Sequence, residues 1–341
     1  MGVRSGSDGQ PGERPVPGAA PVLDPELADF LAAHPGLTRT LRAEHIGSLR
    51  ARQRSQDEEW DDVALSRSGA VDVGERRVPV GAGVDRSLLV LSPAGPPRPR
   101  PGIYHLHGGG MVAGGNRTGI GPVLDWVTEL GVVVLSPDYR LAPEHPHPGP
   151  VRDCLAGWDW ITGHAGELGV DARAMVLAGT SAGGGLAAAL AVICRDRGGP
   201  GPAGQVLMSP MLDDRNDSPS ARGFDGRTVW DRGSNATGWQ ALLGAARGTD
   251  AVGPAAAPAR TRELAGLPPT YLDVGGAETF RDEAIEYGTR LARAGVPVDL
   301  HLWAGAFHGF EHFVPDSAVA RSARRARTEF LRRLLRGRVP A

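Results

Sequence analysis

The stretch of sequence that decides the fold is M-V-L-A-G-T-S-A-G-G-G at positions 175–185. Its apolar beginning is typical of a buried strand, and the alanine-rich segment after Ser181 is typical of a helix. Between them lies the pattern G-x-S-x-G, in which a sharp strand-to-helix turn holds the serine in a strained, exposed position. In a chain with 49 glycines this pattern could arise by chance, so it needs support from other runs.

A second run, H-G-G-G at 107–110, follows the apolar segment 103–106. A glycine triplet after a strand can be a plain loop or a phosphate-binding turn, but the chain contains no lysine and no G-K-[ST] pattern. In esterases this run offers backbone N–H groups to a developing oxyanion, together with the N–H that follows the nucleophile. The sequence therefore predicts an oxyanion hole formed by Gly109, Gly110 and Ala182. We expect His107 and Gly108 to support it, with His107 bracing the loop rather than being an ordinary histidine at a strand end.

A third run, A-F-H-G-F at 306–310, follows the alternating segment V-D-L-H-L-W at 298–303. Serine needs a base within hydrogen-bond reach, and a histidine in a loop after a late strand is suitably placed. The letters 308–312 also match H-x-x-E-H, a zinc-peptidase motif that needs both histidines on one helical face and a third ligand. Glycine and the nearby Pro315 make this segment poor helix material. We therefore expect His308 to be a general base and expect no metal.

Five runs together carry a family resemblance. The runs are H-G-G-G (107–110), D-Y-R-L-A-P-E (138–144), G-T-S-A-G-G (179–184), L-P-P-T (267–270) and F-H-G-F (307–310). With these runs in this order, the chain resembles the hormone-sensitive-lipase-like branch (bacterial family IV) of the α/β-hydrolases. The resemblance implies an α/β-hydrolase fold: a mostly parallel central sheet with helices on both faces and a helical cap. Two residues depart from the family: Met111 replaces a frequent aromatic, and Glu278 stands where aspartate is more common.

The acid that would orient His308 has more than one candidate in the sequence. Four acids lie near the end of the predicted strand 270–274: Asp273, Glu278, Asp282 and Glu283. Asp273 lies inside the strand, whereas Asp282 and Glu283 lie at a helix start, where acids suit the helix dipole. Glu278 lies in the loop at the family's acid position. We therefore favour Glu278, with Asp282 as the alternative.

The resemblance implies a serine carboxylesterase that acts on short-chain acyl esters through an acyl-enzyme intermediate, with Ser181, His308 and Glu278 as catalytic residues and no cofactor. An alternative is an N-acyl or O-acetyl deacylase for a natural product. A less favoured alternative is a non-catalytic ligand-binding protein on the same scaffold, because fold does not determine function. The family often forms dimers, so a homodimer is a further expectation.

The rest of the chain alternates between strand and helix patterns, which favours a mostly parallel sheet covered on both faces. We predict strands at 102–106, 132–136, 174–178, 205–209, 270–274 and 298–303, and helices at 119–130, 149–164, 182–197, 279–294 and 317–336. Residues 71–92 are predicted to form short strands broken by a turn at 81–83. The domain prediction is a disordered tail at 1–20, N-terminal cap helices at 21–60, and a hydrolase domain at 61–341 with a cap insertion at about 211–266. Trp230 and Trp239 in that insertion could either anchor the cap or line a pocket.

Composition limits the other possibilities. The net charge of −2 offers no basis for binding nucleic acid or an anionic membrane surface. All 37 basic residues are arginine, and those at 321–338 are expected on the solvated face of an amphipathic helix. Cys154 and Cys194 are expected to be free and buried. The first 20 residues contain no apolar signal-peptide core, so a cytoplasmic protein is expected.

Overall fold

A single eight-stranded sheet forms the centre of the molecule. The structure, a computed structural model, describes residues 22–81, 83–96 and 98–337, so the predicted disordered tail at 1–20 lies outside the described residues. The strands are β1 (Val71–Pro79), β2 (Asp85–Pro93), β3 (Arg100–Leu106), β4 (Val133–Pro137), β5 (Val170–Thr180), β6 (Gly204–Met208), β7 (Thr270–Gly275) and β8 (Val298–Trp303).

The strand order is β1-β2-β4-β3-β5-β6-β7-β8. β1 pairs antiparallel with β2, and β2 pairs antiparallel with β4, whereas every pair from β4 through β8 is parallel. The carboxyl ends of parallel strands meet at one edge of a sheet, where ligands bind in open α/β folds. The loops that follow β3, β5, β7 and β8 therefore gather at one edge, and they contain the H-G-G-G run, Ser181, Glu278 and His308.

Helices cover both faces of the sheet. They are α1 (Pro25–Ala33), α2 (Ile46–Glu58), α3 (Asp62–Leu65), α4 (Gly121–Leu130), α5 (Gly149–Gly163), α6 (Ala182–Arg197), α7 (Pro219–Gly223), α8 (Arg232–Leu243), α9 (Arg281–Arg293), α10 (Phe310–Phe313) and α11 (Ala318–Leu334). Successive strand residues face opposite sides, so Leu177 joins the core beneath α5, α6 and α9, while Val176 joins the core beneath α4 and α11. The prediction of a mostly parallel sheet with helices on both faces is confirmed.

The sequence pattern located the six core strands and the five following helices to within a few residues of their observed ends. The region 71–92 differs from the prediction. It forms two nine-residue strands in continuous antiparallel register, from the Val71–Pro93 pair to the Pro79–Asp85 pair, rather than short strands. β2 also pairs with β4 through Leu88–Leu91, which extends the sheet beyond its parallel part.

One arginine of the C-terminal helix α11 is not on the solvated face, contrary to the prediction. Arg327 is only 2% exposed. Its guanidinium donates to Asp273 on β7 at 2.6 and 2.8 Å and also contacts Glu311 on α10. Position 327 is four residues after the buried Ala323 and three before the buried Phe330, so it belongs to the buried stripe. This spacing was the signal that the sequence offered.

Two segments outside the alternating core contact one another. The backbone N–H of Leu41 donates to Ser234 Oγ on α8 at 2.8 Å, and Thr237 Oγ1 donates to the Leu41 carbonyl at 2.8 Å. The residues before β1 and those between β6 and β7 are thus joined side by side. Whether they act together as a cap domain stays a prediction.

Two smaller observations concern the cysteines and the helices. Cys154 and Cys194 are both free and buried, as predicted. Among the residues that the structure describes, none of the helices combines the length and the apolar character needed to cross a membrane.

Candidate active site

Ser181 occupies the turn between β5 and α6. Its backbone has φ +58° and ψ −119°, a region that side chains rarely adopt, and such strain is concentrated at functional sites. The turn is tight because its neighbours lack side chains. A Cβ at Gly183 would lie 1.9 Å from the Leu106 carbonyl oxygen, and a Cβ at Gly179 would lie 2.2 Å from the Gly183 carbonyl oxygen. The small residues around the serine therefore allow this approach of β3, β5 and α6.

His308 lies in the loop after β8 and reaches Ser181 from another part of the chain. Its Nε2 is 3.0 Å from Ser181 Oγ, and its Nδ1 is 3.1 Å from Glu278 Oε1. Phe280 packs edge-on against the imidazole, with ring centroids 5.0 Å apart. Both ring nitrogens are thus engaged, and the ring is held in one orientation.

Glu278 is fully buried, and both of its carboxylate oxygens have partners. Oε1 contacts His308, while Oε2 accepts hydrogen bonds from Ser209 Oγ at 3.0 Å and from the Gly275 backbone N–H at 3.1 Å. Hydrogen bonds of this kind offset the cost of burying a carboxylate. Ser209, which follows β6, was not singled out by the sequence, because a lone serine carries no local signal for this role.

The other three acids are engaged elsewhere. Asp273 accepts from Arg327, Tyr271 and Trp303. Asp282 accepts from the Ser220 backbone N–H at 2.6 Å and from Arg281 at 2.7 Å. Asp282, the alternative acid, therefore bonds to Ser220 and Arg281, whereas Glu278 is the acid that contacts His308.

The third of these acids is Glu283. It accepts from the backbone N–H groups of Leu212 and Asp213 at 2.8 and 3.3 Å. Burial raises the pKa of Glu283 well above its usual value. These bonds hold the Glu283 carboxylate against the segment after β6, and its hydrogen-bond partners do not include His308.

The residues predicted for the oxyanion hole lie on two adjacent turns. The turn after β3 closes through the Gly109 carbonyl, which accepts from the backbone N–H groups of Val112 and Ala113 at 3.1 and 3.0 Å. Gly109 and Gly110 have φ +110° and +61°. Ala182 is the first residue of α6, where a backbone N–H has no partner within the helix. A Cβ at Gly108 would lie 3.5 Å from Ser181 Cβ, so the two turns are in contact. The oxyanion role stays a prediction.

His107 is buried beneath this turn. Its Nδ1 lies 2.7 Å from the Gly108 carbonyl oxygen, and its ring stacks on Tyr139 with centroids 4.0 Å apart. The Tyr139 hydroxyl donates to the His107 carbonyl at 2.7 Å. Burial lowers the pKa of His107 to about 4, so the ring is neutral near neutral pH. These contacts support the bracing role that the sequence suggested.

The two tryptophans of the segment between β6 and β7 have different environments. Trp239 is fully buried in the core. Trp230 has φ +56° and lies against the oxyanion turn, because a Cβ at Gly110 would be 2.1 Å from its Cη2 atom. Its carbonyl accepts from Thr279 Oγ1 at 2.8 Å, next to Glu278. One tryptophan therefore packs in the core and the other against the predicted oxyanion turn.

The H-x-x-E-H alternative does not match the local structure. α10 has only four residues and begins after His308, so the two histidines do not share a helical face. His308 is engaged with Ser181 and Glu278, and Glu311 is paired with Arg327. Within the described ranges, no group of three or more histidine, cysteine or acidic side chains could hold a metal ion.

Comparison with known proteins gives a consistent result. The family model described as alpha/beta hydrolase fold matches residues 103–312. The chain belongs to the α/β-hydrolase family. Esterase LipI of Mycobacterium tuberculosis is 35% identical to the hydrolase over 239 residues, which span 70% of this chain and 74% of LipI. A solved bacterial heroin esterase superposes on the hydrolase with a TM-score of 0.85 and 35% identity, over 93% of this chain and 99% of that one.

A further relative matches over a shorter stretch. Hormone-sensitive lipase of Bos taurus is 42% identical to the hydrolase over 102 residues, which cover 30% of this chain and 14% of the lipase. The predicted membership of the hormone-sensitive-lipase-like branch is therefore confirmed, as is the α/β-hydrolase fold. At the level of enzyme class, the prediction of a carboxylic ester hydrolase is confirmed as well.

Proposed function

We propose that the hydrolase is a serine carboxylesterase that cleaves short-chain acyl esters through an acyl-enzyme formed on Ser181. The observation that carries this proposal is the line of contacts from Ser181 Oγ through both nitrogens of His308 to Glu278. A serine, a histidine that accepts its proton and an acid that orients the histidine form the arrangement that activates a hydroxyl nucleophile.

In the first half-reaction, Ser181 Oγ attacks the ester carbonyl carbon while its proton passes to His308 Nε2. The carbonyl oxygen becomes an oxyanion, which would accept hydrogen bonds from the N–H groups of Gly109, Gly110 and Ala182. Collapse of this intermediate breaks the bond to the alcohol oxygen, and His308 returns the proton to the leaving alcohol. Ser181 is left acylated.

In the second half-reaction, water loses a proton to His308 Nε2 and attacks the acyl-enzyme carbonyl carbon. The second tetrahedral intermediate collapses to release the carboxylic acid, and Ser181 Oγ recovers its proton from the histidine. Glu278 takes up no proton in this mechanism, because its task is to hold the Nδ1–H tautomer and stabilise the imidazolium.

The Ser181→Ala variant tests this mechanism. We expect kcat for p-nitrophenyl acetate to fall by a factor on the order of 10⁴ to 10⁶, with unchanged circular dichroism. EDTA is expected to have no effect, and loss of activity that zinc restores would revive the His308–His312 alternative. Turnover by the alanine variant close to that of the wild type would overturn the proposal. No turnover of any aryl ester by the wild type would favour the binding-protein alternative.

The short-chain preference is supported by Trp230. Its ring lies against Gly110, and its backbone is bonded to Thr279. The leaving alcohol must face His308, so the acyl chain extends away from the histidine, past the oxyanion turn. A rigid indole at this position would therefore limit the length of the acyl chain.

A series of p-nitrophenyl esters from acetate to laurate tests this preference. We expect Trp230→Ala to raise the laurate-to-acetate ratio of kcat/KM about tenfold or more, since each methylene in a pocket has a sizeable effect. Trp230→Phe should lie between that variant and the wild type. Trp160→Ala is the control, because it removes a tryptophan of α5 that stacks on His164 and not on the oxyanion turn. An unchanged ratio in Trp230→Ala would exclude this role, and preferred cleavage of an N-acetyl substrate would favour the deacylase alternative.

Two further parts of the proposal concern the state of the protein. We propose a cytoplasmic location, which the two free, buried cysteines support. We also propose that the esterase forms a homodimer, and its small-molecule ester substrate would need neither a nucleic acid nor a membrane partner.

A further inference from the structure

One guanidinium joins the N-terminal helix α2 to the turn that carries Gly109 and Gly110. Arg50 Nε donates to the Val112 carbonyl at 2.6 Å, and its Nη2 donates to the Ala142 carbonyl at 2.8 Å. The same group makes two bonds to Glu144, from Nη1 at 2.8 Å and from Nη2 at 2.7 Å. Its donors are therefore divided between two backbone carbonyls and one carboxylate.

The two carbonyls lie on segments that already contact each other. Val112 closes the oxyanion turn, because its N–H donates to the Gly109 carbonyl at 3.1 Å. Ala142 lies in the loop after β4, and its N–H donates to the Met111 carbonyl at 2.9 Å. Arg50 thus crosslinks the far side of the oxyanion turn to the loop on which the turn rests. Met111, with φ +66°, has a backbone that such contacts must hold in place.

Arg50 crosslinks the two segments mainly through its bonds to the two carbonyls, and less through its ion pair with Glu144. The Glu144 side chain is 57% exposed, whereas that of Arg50 is 21% exposed. Ion pairs that reach solvent add little to stability. The hydrogen bond from Arg50 lowers the pKa of Glu144 to about 2, so the carboxylate stays ionised in any ordinary assay. Its task is then to fix the plane of the guanidinium, which aims the remaining donors at the two carbonyls.

Other contacts hold α2 against the segment between β3 and α4. Thr118 Oγ1 donates to Asp57 at 2.7 Å and accepts from the Gly115 N–H at 2.9 Å. Arg117 donates to the Trp60 carbonyl at 2.5 Å. These contacts lie beyond the oxyanion turn and anchor the end of α2, whereas Arg50 is the side chain of α2 that bonds to the turn itself at Val112.

We propose that Arg50 is a positioning residue for the oxyanion hole: by holding the Val112 and Ala142 carbonyls, it sets where the Gly109 and Gly110 N–H groups point. This inference rests on the proposed oxyanion role of those glycines. A misdirected donor weakens binding of the transition state while leaving the ground-state ester almost unaffected. The predicted N-terminal cap segment would then contribute to catalysis and not only to covering the site.

The test compares Arg50→Ala with Arg54→Ala, a matched loss of an exposed arginine one turn later on the same helix. We expect kcat of the Arg50 variant for p-nitrophenyl acetate to fall about 10- to 100-fold, with KM within threefold, since small misplacements can cost this much. The inhibition constant of a trifluoromethyl ketone, whose serine adduct places an oxyanion in the hole, should rise by a similar factor. Methylguanidinium should restore part of the activity.

Two further variants separate the explanations. Glu144→Gln keeps the guanidinium, both carbonyls and one side-chain oxygen that can still accept from Arg50 and orient it, so its kcat should fall less than threefold. Arg50→Lys offers one ammonium in place of a planar fork and should be impaired nearly as much as the alanine variant.

Equal kcat in Arg50→Ala and Arg54→Ala would overturn the inference, as would a lowered kcat with an unchanged inhibition constant. A Glu144→Gln loss as large as that of Arg50→Ala would assign the effect to the ion pair instead and also overturn it. Failure of the proposed function itself would be recognised separately, by activity retained in Ser181→Ala.

Discussion

Strained residues cluster around one space in this molecule. Of the seven described non-glycine residues with positive φ, four surround this space: Met111, Ser181, Ser209 and Trp230. Met111 lies in the oxyanion turn, Ser181 faces His308, Ser209 bonds to Glu278 and Trp230 covers Gly110. Each such conformation costs about 1–3 kcal/mol and persists only where the surroundings enforce it. The strain therefore marks the same site that the motifs indicate.

At the residue scale, the first prediction concerns the acid. Glu278→Gln should lower kcat by roughly 10³ to 10⁴, because the amide cannot hold the required histidine tautomer. Asp282→Asn should remain within a few-fold of the wild type, since that carboxylate bonds to Ser220 and Arg281. Steady-state kinetics on p-nitrophenyl acetate measure both. The reverse pattern would make Asp282 the functional acid.

A second residue-scale prediction concerns pH and stability. Burial lowers the pKa of His105 to about 3, and neither ring nitrogen of this buried side chain has a hydrogen-bond partner within the described part of the chain. An unfolded chain takes up this proton at higher pH than the folded one. Stability is therefore present above the unfolded-state pKa and is lost as pH falls towards the folded value, by up to about 1.4 kcal/mol per pH unit.

His105→Leu should remove the part of the acid-induced loss of stability that comes from this histidine. The variant should be as stable as the wild type at pH 7 or more stable, because no hydrogen bond is broken. Urea unfolding of both proteins between about pH 7 and pH 4.5 measures the difference in free energy. Glu283, whose pKa burial raises, has the opposite effect on acid stability, but it is common to both proteins. Parallel stability curves for the two proteins would refute the prediction.

At the scale of elements, α11 is more than a cover for the sheet. Arg327 joins it to Asp273 on β7 and to Glu311 on α10, just after the loop of His308. Burial alone would lower the pKa of Arg327, but the two carboxylates raise it above its ordinary value. The strand before the acid loop and the helix after the histidine loop therefore share one buried charge.

Arg327→Met should destabilise the fold by about 3–5 kcal/mol, because it leaves the buried Asp273 without its cationic partner. Arg332→Met is the matched control on the same helix. Its pair with Glu329 is half exposed on both sides, so we expect a loss of no more than about 1 kcal/mol. Urea unfolding monitored by tryptophan fluorescence measures both variants. Similar losses would mean that burial of Arg327 has little energetic consequence.

At the scale of the whole molecule, the two ends of the sheet differ. β1 is one edge, and β8 is the other. Leu300 and Leu302 on β8 are 39% and 51% exposed, and an edge strand with exposed apolar side chains is suited to pairing with a second strand. The edge strand β8 is thus the surface on which the proposed homodimer is expected to form.

Light scattering after size-exclusion chromatography measures the oligomeric state of the protein. We expect the wild type to elute as a dimer and Leu302→Arg to elute as a monomer, since a buried interface disfavours an unpaired charge. Val63→Arg, at an exposed position on α3, should leave the mass unchanged. A monomeric wild type would remove the basis for a homodimer, and a Leu302→Arg dimer would place the interface elsewhere.

The sequence by itself determined the order of the core elements and the family. Alternation with period two and the 3.6-residue helical pattern are local properties, so β3 to β8 and their helices could be located without coordinates. The same holds for the turn at Ser181, because a strand, a glycine-flanked serine and a helix are consecutive in the chain. Local spacing also placed His308 after its strand.

Only the tertiary structure decided which side chains meet across the molecule. Glu278 and Asp282 are four positions apart, and the bonds from Ser209 and Gly275 put Glu278, not Asp282, in contact with His308. Arg50 meets carbonyls that are 62 and 92 positions away. Such contacts depend on how helices and loops pack at one sheet edge, and burial then determines which charges find partners. A sequence pattern reports the conformation of neighbouring residues, whereas these pairings arise from the packing of distant ones.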